Sequence, residues 1–210
     1  MDEQFYEKLK EKILPYFENN DGHGFDHTNR VLKNALIISE NENIDLDILK
    51  MACLLHDIAR NKETDENGIN HAELGAIIAK EILKEFGFPE DKIEKITYAI
   101  KVHRYSRGIK AEIREAEILQ DADRLDALGA MVLVRMFQYA FKYNSPIYDP
   151  RIPVKEKYDG KKSTLINHIY EKILKIKPET FKTIKAKEIA KQRYKLVEDF
   201  VTSFMDEWSE

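Results

Sequence analysis

Two histidines and two acidic residues stand where their side chains must meet apolar neighbours. His27 opens one amphipathic segment, the adjacent pair His56-Asp57 closes another, and Asp123 lies inside the apolar stretch LQDADRLDALGA. A charge that faces a core is costly unless it is paired, and a metal ion is one way to satisfy it. Taken singly, each residue has a plain explanation: a lone helix histidine is usually hydrogen-bonded or exposed, and a lone Asp near a helix end usually caps it. Together, two imidazoles and two carboxylates from three helices make a mixed nitrogen and oxygen shell. Such a shell suits an octahedral Mn, Fe, Ni, Co or Mg ion with open water positions better than a closed tetrahedral zinc site, and it is catalytic in type. The last acidic member stays open at this level, because Asp121, Asp123 and Asp126 all lie among apolar residues of one helix and periodicity does not choose between them.

The elements that must position these residues are helices. Eight glycines and six prolines in 210 residues are few, so few turns are encoded and long helices follow. In DHTNRVLKNALIISEN, Val31, Ala35 and Ile38 recur at helical spacing, with Asp26 as the expected N-cap. A second helix is expected over about Asp45 to Ala59, a third from Asn70 to before Gly87, and a fourth from Glu90 to near His103. A fifth, from about Glu112 to Phe141, is the longest and is expected to be central; two more follow at about Ser163 to Leu174 and Pro178 to Trp208. No run alternates with period two, so the class is all-α: a compact multi-helix bundle with extra C-terminal helices. With 43% apolar residues and no linker composition, residues 1–210 read as a single domain, the proline-containing stretch from Asn144 to Ser163 being a long loop within it.

Other chemistries are thin. The longest apolar run, Ala127 to Val134, falls far short of the ~20 residues a membrane helix needs. The opening MDEQFYEKLKEK carries charges where a signal peptide is apolar, and one cysteine, Cys53, fits a reducing compartment, so a cytoplasmic location is expected. Cys53 falls on an apolar helix row and reads as inert core. There is no Gly-rich phosphate loop and no G-x-S-x-G nucleophile elbow. Residues 151–195 hold 14 Lys and Arg against 5 Asp and Glu, whereas the rest of the chain holds 20 against 33. A solvated Lys-rich face is the commoner meaning of such a segment, so it permits phosphate-bearing partners without requiring them. Phe200, Phe204 and Trp208 recur every four residues, which fits packing better than base stacking.

The wording around the signature positions, GHGFDHTNRVLKNA, LLHDIAR and LQDADRLDALGA, resembles the HD-domain superfamily of metal-dependent phosphohydrolases, in particular a bacterial subfamily of stand-alone HD hydrolases. The tail STLINHIYEKILKIKPETFKTIKAKEIAKQR is similar to the C-terminal helices of that subfamily, so the likeness covers nearly the whole chain, with a signature core at about 23–128 and a C-terminal extension at about 163–210. The resemblance implies that His27, His56, Asp57 and Asp123 hold one divalent metal ion, Asp123 being selected because the family's final Asp precedes a basic and then an apolar residue, as in Asp123-Arg124-Leu125. Some members bind a second metal through extra histidines in the interval occupied here by His71 and His103. These two residues are therefore candidate ligands, proton donors or phosphate contacts, and Asp57, or a neighbouring carboxylate, is the candidate to orient the attacking water and accept its proton.

Arg30, at i+3 from His27, and Arg60, at i+4 from His56, are candidates to pair with a phosphate or to form a salt bridge to Asp57 or Asp126. His23, in the lead-in DGHGFDH, and His168 and Lys172 (with Ser163) in the tail are further candidate phosphate contacts. The alarmone hydrolases of the superfamily carry an acidic pair after the His-Asp dipeptide; the reading HDIARN here argues against that substrate. The resemblance implies hydrolysis of a small phosphate ester or anhydride. A nucleotide is the expected partner, with a deoxynucleoside triphosphate cleaved to monophosphate and pyrophosphate as the preferred case. A cyclic-nucleotide phosphodiesterase and a non-enzymatic nucleotide- or RNA-binding module are the alternatives, the complete signature arguing against the last. No membrane partner is expected.

Overall fold

The computed structural model describes residues 3–17, 24–63, 70–156, 158 and 164–209. Among the described residues every regular element is helical: α1 (Glu3–Ile13), α2 (Phe25–Ile38), α3 (Leu46–Leu55), α4 (His71–Glu85), α5 (Glu90–Val102), α6 (Arg114–Asp126), α7 (Ala130–Lys142), α8 (Leu165–Glu171) and α9 (Ile184–Ser209), with short 3-10 turns between them. The chain divides into two compact units, Met1–Asp123 and Arg124–Glu210.

In the first unit, α3 is the buried centre. Ile48, Leu49, Met51, Ala52, Cys53, Leu54 and Leu55 are all enclosed, so this helix is apolar nearly all round rather than along one stripe. It packs between α2 and α5, and α4 folds back on α5 through the turn at Gly87. Polar residues fix where the helices start. Asp45 accepts from the N–H groups of Asp47 and Ile48, and Asn70 accepts from Ala72 N–H, satisfying donors that an N-terminus leaves open. The expected cap of α2 is displaced: Gly24 holds the N-cap position, and Asp26 lies in the first turn, where a carboxylate complements the helix dipole. Helix α1, which the apolar pattern did not predict, is anchored by buried Leu9 and Ile13 and by Phe5, whose ring meets Phe86 and Phe88 edge-on at 5.4 and 5.8 Å.

The single long helix expected over Glu112 to Phe141 is instead α6 and α7, broken at Gly129. That residue has φ 83° and ψ −159°, a conformation essentially restricted to glycine. A Cβ there would also lie 3.0 Å from Cγ of Arg193. Helical periodicity continues through the break, which is why the pattern does not reveal it. In the second unit, Arg193 donates to Leu125 O (2.7 Å), and Arg135 donates to Asp126 O (2.5 Å) and pairs with the Asp126 carboxylate (3.2 Å), so two guanidinium groups satisfy carbonyls that end α6. Arg124 lies over the Phe181 ring and donates to Thr180 O at 3.0 Å. The tail helix expected at Ser163 begins at Leu165 with Thr164 as its N-cap, and the one expected from Pro178 is a 3-10 turn (Pro178–Thr180) followed by α9. Phe204 stacks on Trp208 and Tyr148 meets Trp208 edge-on at 5.3 Å, so the aromatic row packs, although Trp208 itself remains 54% exposed.

Candidate metal centre

Four imidazoles and two carboxylates converge within the first unit, and most come from helix ends. His27 occupies the first turn of α2, His56 the residue after the last turn of α3, His71 the first position of α4 and His103 the residue after α5; Asp57 follows His56, and Asp123 projects from α6. The same local device aims two of the rings. A helix leaves its last carbonyls without intrahelical donors. Here Nδ1 of His56 donates to Cys53 O (2.8 Å) and Nδ1 of His103 donates to Ile100 O (2.6 Å), each three residues back. With the proton committed to Nδ1, the lone pair of each ring resides on Nε2. The turn Ile58 N–H to Leu55 O, followed by Arg60 N–H to Asp57 O, carries Asp57 past the end of α3 and into the same space.

His71 reaches the same tautomer through a carboxylate. Its Nδ1 lies 2.8 Å from Glu63 Oε2 and 3.0 Å from Nη1 of Arg60, which itself donates to Glu63 Oε2 at 2.9 Å. Were Nδ1 bare, two lone pairs would face each other at 2.8 Å, so the proton sits on Nδ1 and points to Glu63.

The Nε2 atoms then meet the aspartates. His27 and His56 have their Nε2 atoms 3.3 Å apart, and each is 3.7 Å from Asp57 Oδ2; Asp123 Oδ1 is 3.3 Å from His27 Nε2. On the other oxygen of the same carboxylate, Asp57 Oδ1 lies 3.3 Å from His71 Nε2 and 3.6 Å from His103 Nε2, and those two nitrogens are 3.4 Å apart. Two donor groups result, His27-His56-Asp57 and Asp57-His71-His103, sharing one aspartate. All of these side chains are buried except that of Asp123, which is 27% exposed.

Burial pushes the His56 imidazole down to about 4, outweighing the pull of Asp57, so the ring is neutral and can donate a lone pair at neutral pH. Burial alone would lower His103 as well, but its hydrogen bond to Asp57 and the charges of Asp57 and Asp123 raise it. Burial works to raise Asp123; the hydrogen bond and charge of His27 prevail and hold it below the usual carboxylate range. Glu63 is likewise held low against burial by the His71 hydrogen bond and by Arg60 and Arg104.

Imidazole nitrogens and carboxylate oxygens that crowd together at 3.3–3.7 Å in a buried space are the donor set a borderline or hard divalent cation takes, and a cation between them offsets the crowding of these polar atoms. The residues present therefore fit such an ion.

The remaining sequence candidates are placed as follows. Asp126 is engaged by Arg135, Asp121 is fully enclosed, and Asp123 is the member of the trio whose carboxylate oxygen meets His27. Arg60 stands beside His71, and Arg30 is half-buried on α2. His23 and Ser163 lie outside the described residues. His168 and Lys172 belong to the second unit, where Tyr158 joins them: its ring is 5.0 Å from the His168 ring, and Lys172 Nζ lies 5.3 Å from its centroid. The sequence reading missed Glu63 and Arg104, which donates to Glu63 Oε1 at 2.5 Å. Neither carries a motif; the only signals were adjacency to His103 for Arg104 and the i,i+3 spacing from Arg60 for Glu63.

A family profile for the HD domain matches residues 24–128, the interval that holds every member of the cluster. A crystal structure of an HD-superfamily hydrolase from Bacillus thuringiensis is 32% identical, with 98% of each chain covered and a TM-score of 0.73. A Lactobacillus plantarum protein of known structure is 28% identical over 100% of this chain and 99% of its own, with a TM-score of 0.76. The uncharacterised protein YpgQ of Bacillus subtilis is 28% identical over 188 residues, covering 88% of this chain and 83% of YpgQ. The crystal structure of YpgQ in complex with ADP aligns with a TM-score of 0.73 over 97% of this chain and 95% of that one, at 23% identity, which speaks to the fold.

Proposed function

The chain belongs to the HD-domain family, and on that premise we propose that it is a metal-dependent phosphohydrolase acting on a nucleotide phosphoanhydride, a deoxynucleoside triphosphate cleaved to monophosphate and pyrophosphate being the preferred substrate. One observation carries the reading: Asp57 turns its two oxygens to two separate pairs of imidazole Nε2 atoms. His27, His56, Asp57 and Asp123 would hold the first divalent ion, of the Mn, Fe, Ni, Co or Mg class, and Asp57, His71 and His103 a second. When bound, such an ion supplies Lewis acidity that brings water towards ionisation at neutral pH and polarises a phosphoryl oxygen.

The chain's own groups do the rest. Asp57 directs both oxygens at the imidazole groups, and we therefore assign to the partly exposed carboxylate of Asp123 the roles of orienting the attacking water and accepting its proton. Oxygen from that water bonds to the α-phosphorus, the bond to the bridging oxygen breaks, and pyrophosphate departs with the electron pair. Arg60, 30% exposed at the rim beside His71, neutralises the charge that develops on the phosphates. In a singly loaded protein, His71 or His103 is the group to protonate the leaving oxygen. The complex of YpgQ with ADP, which carries a diphosphate on a nucleoside, supports a nucleotide over other phosphate esters.

A panel of nucleoside and deoxynucleoside triphosphates, cyclic nucleotides and simple monoesters incubated with Mn(II) or Mg(II) tests this. Release of pyrophosphate from triphosphates, lost on chelation and in a folded Asp57→Ala variant, is expected. Release only from cyclic nucleotides would redirect the reading to a phosphodiesterase, and activity retained in Asp57→Ala would defeat it.

A further inference from the structure

Glu63 lies beside the Asp57-His71-His103 group, and both of its oxygens are engaged. Oε1 accepts from Arg104 at 2.5 Å, and Oε2 accepts from Arg60 at 2.9 Å and from His71 Nδ1 at 2.8 Å. The origin of the three donors matters more than their number. Arg60 belongs to the turn whose N–H closes on Asp57 O, His71 starts α4, and Arg104 directly follows His103. Each segment that contributes a member of the Asp57-His71-His103 group thus also sends a hydrogen bond to Glu63. A surface ion pair would be worth little by itself. Glu63 differs because one of its donors, His71, is 1% exposed and turns its other nitrogen towards Asp57 and His103.

We propose that Glu63 is a positioning residue: it fixes the Nδ1–H tautomer of His71 and holds Arg60 and Arg104 together at the rim of the second donor group as a two-guanidinium grip for the phosphates of the substrate. The proposal rests on the reading of Asp57, His71 and His103 as a metal group. Two guanidinium groups against one carboxylate leave a net positive charge beside that group, which favours approach of an anionic polyphosphate. A carboxylate behind a ligating histidine keeps the ring oriented and raises its basicity, and its loss typically weakens metal binding about 10- to 100-fold.

Glu63→Ala and the near-isosteric Glu63→Gln, with His71→Ala as reference, separate the outcomes. In metal-free protein, the nitrogen-15 spectrum of the His71 ring is expected to report protonated Nδ1 in the parent and a mixed tautomer in Glu63→Ala; Glu63→Gln, which keeps an acceptor oxygen, retains the parental signature. Titration with Mn(II), read as free Mn(II) by electron paramagnetic resonance, is expected to give two affinity classes in the parent. One of them should weaken about 10- to 100-fold in Glu63→Ala and disappear in His71→Ala, with the other unchanged. Arg104→Ala is expected to raise KM for triphosphate with Mn(II) binding unaltered. Parental tautomer and parental Mn(II) binding in Glu63→Ala, alongside a lost class in His71→Ala, overturn the role of Glu63 and leave the metal reading standing. A parent that binds no Mn(II), or a His71→Ala variant with both classes intact, overturns the metal reading and the proposal with it.

Discussion

Sharing one carboxylate between two donor groups makes Asp57→Asn the most informative perturbation. Asp57 Oδ2 serves His27 and His56 and Oδ1 serves His71 and His103, so one substitution removes the anionic donor from both groups, whereas His27→Ala or His103→Ala impairs one. At free Mn(II) about 100-fold above each dissociation constant, a ligand that binds only the folded state stabilises it by about 2.7 kcal/mol per site, or about 5 kcal/mol for two. For a chain of this length about 1 kcal/mol moves Tm by about 2–4 °C, so Mn(II) should raise the parental Tm by about 10–20 °C. If Asn weakens each site about 100-fold, each contributes about 0.4 kcal/mol, and the shift shrinks to about 2–3 °C. The single-histidine variants should retain about half the parental shift. Differential scanning fluorimetry with and without chelator reads all four proteins under one condition. A parental shift in Asp57→Asn would refute the shared-carboxylate geometry; loss of the entire shift in both single-histidine variants would refute two separable groups.

Three further outcomes follow from the rest of the molecule. Gly129→Ala places a side chain at φ 83° and 3.0 Å from Arg193 Cγ, and should cost about 1–3 kcal/mol, read as a fall of several degrees in the Tm of chelated protein. Asp45 caps α3 and is paired with Lys92; burial would raise its pKa, but Lys92 and the N–H groups of Ile48 and Asp47 lower it below the ordinary 3.8. Its contribution is therefore fully present above pH 3.8 and is lost as pH falls through the lower folded value, so the deficit of Asp45→Ala, about 1 kcal/mol at neutral pH, should close on acidification in melting curves of metal-free protein. Cys53 is fully enclosed and burial pushes its thiol up, so a thiol-specific disulfide reagent should leave the folded chain unmodified and react with one thiol per chain in denaturant.

The parts of the site that are legible in the sequence are those in which chemistry departs from pattern. His56-Asp57 ends an apolar helix and Asp123 interrupts another, so each is conspicuous against a period that predicts an apolar residue. His71 and His103 sit at helix ends and can be located, but their convergence depends on how α4 folds back on α5, which periodicity does not encode. Glu63 and Arg104 were invisible for a different reason: both belong to irregular segments, and their significance is relational, arising only once three chain segments meet at one carboxylate. Of Asp121, Asp123 and Asp126, helical rotation places all three among apolar neighbours; what separates them is the partner, His27 for Asp123 and Arg135 for Asp126. The helical class was readable from the scarcity of turn residues and the spacing of apolar ones. The break at Gly129 was not, because a residue without a side chain leaves the hydrophobic period intact on both sides.

Anomalous scattering at the manganese edge, from crystals of the protein grown with Mn(II), decides whether these six side chains hold metal and at how many positions. Two peaks are expected: one enclosed by His27, His56, Asp57 and Asp123, and one by Asp57, His71 and His103, with a carboxylate oxygen of Asp57 directed to each. Absence of density at both positions, or an Asp57 side chain turned away from the four rings, would contradict it.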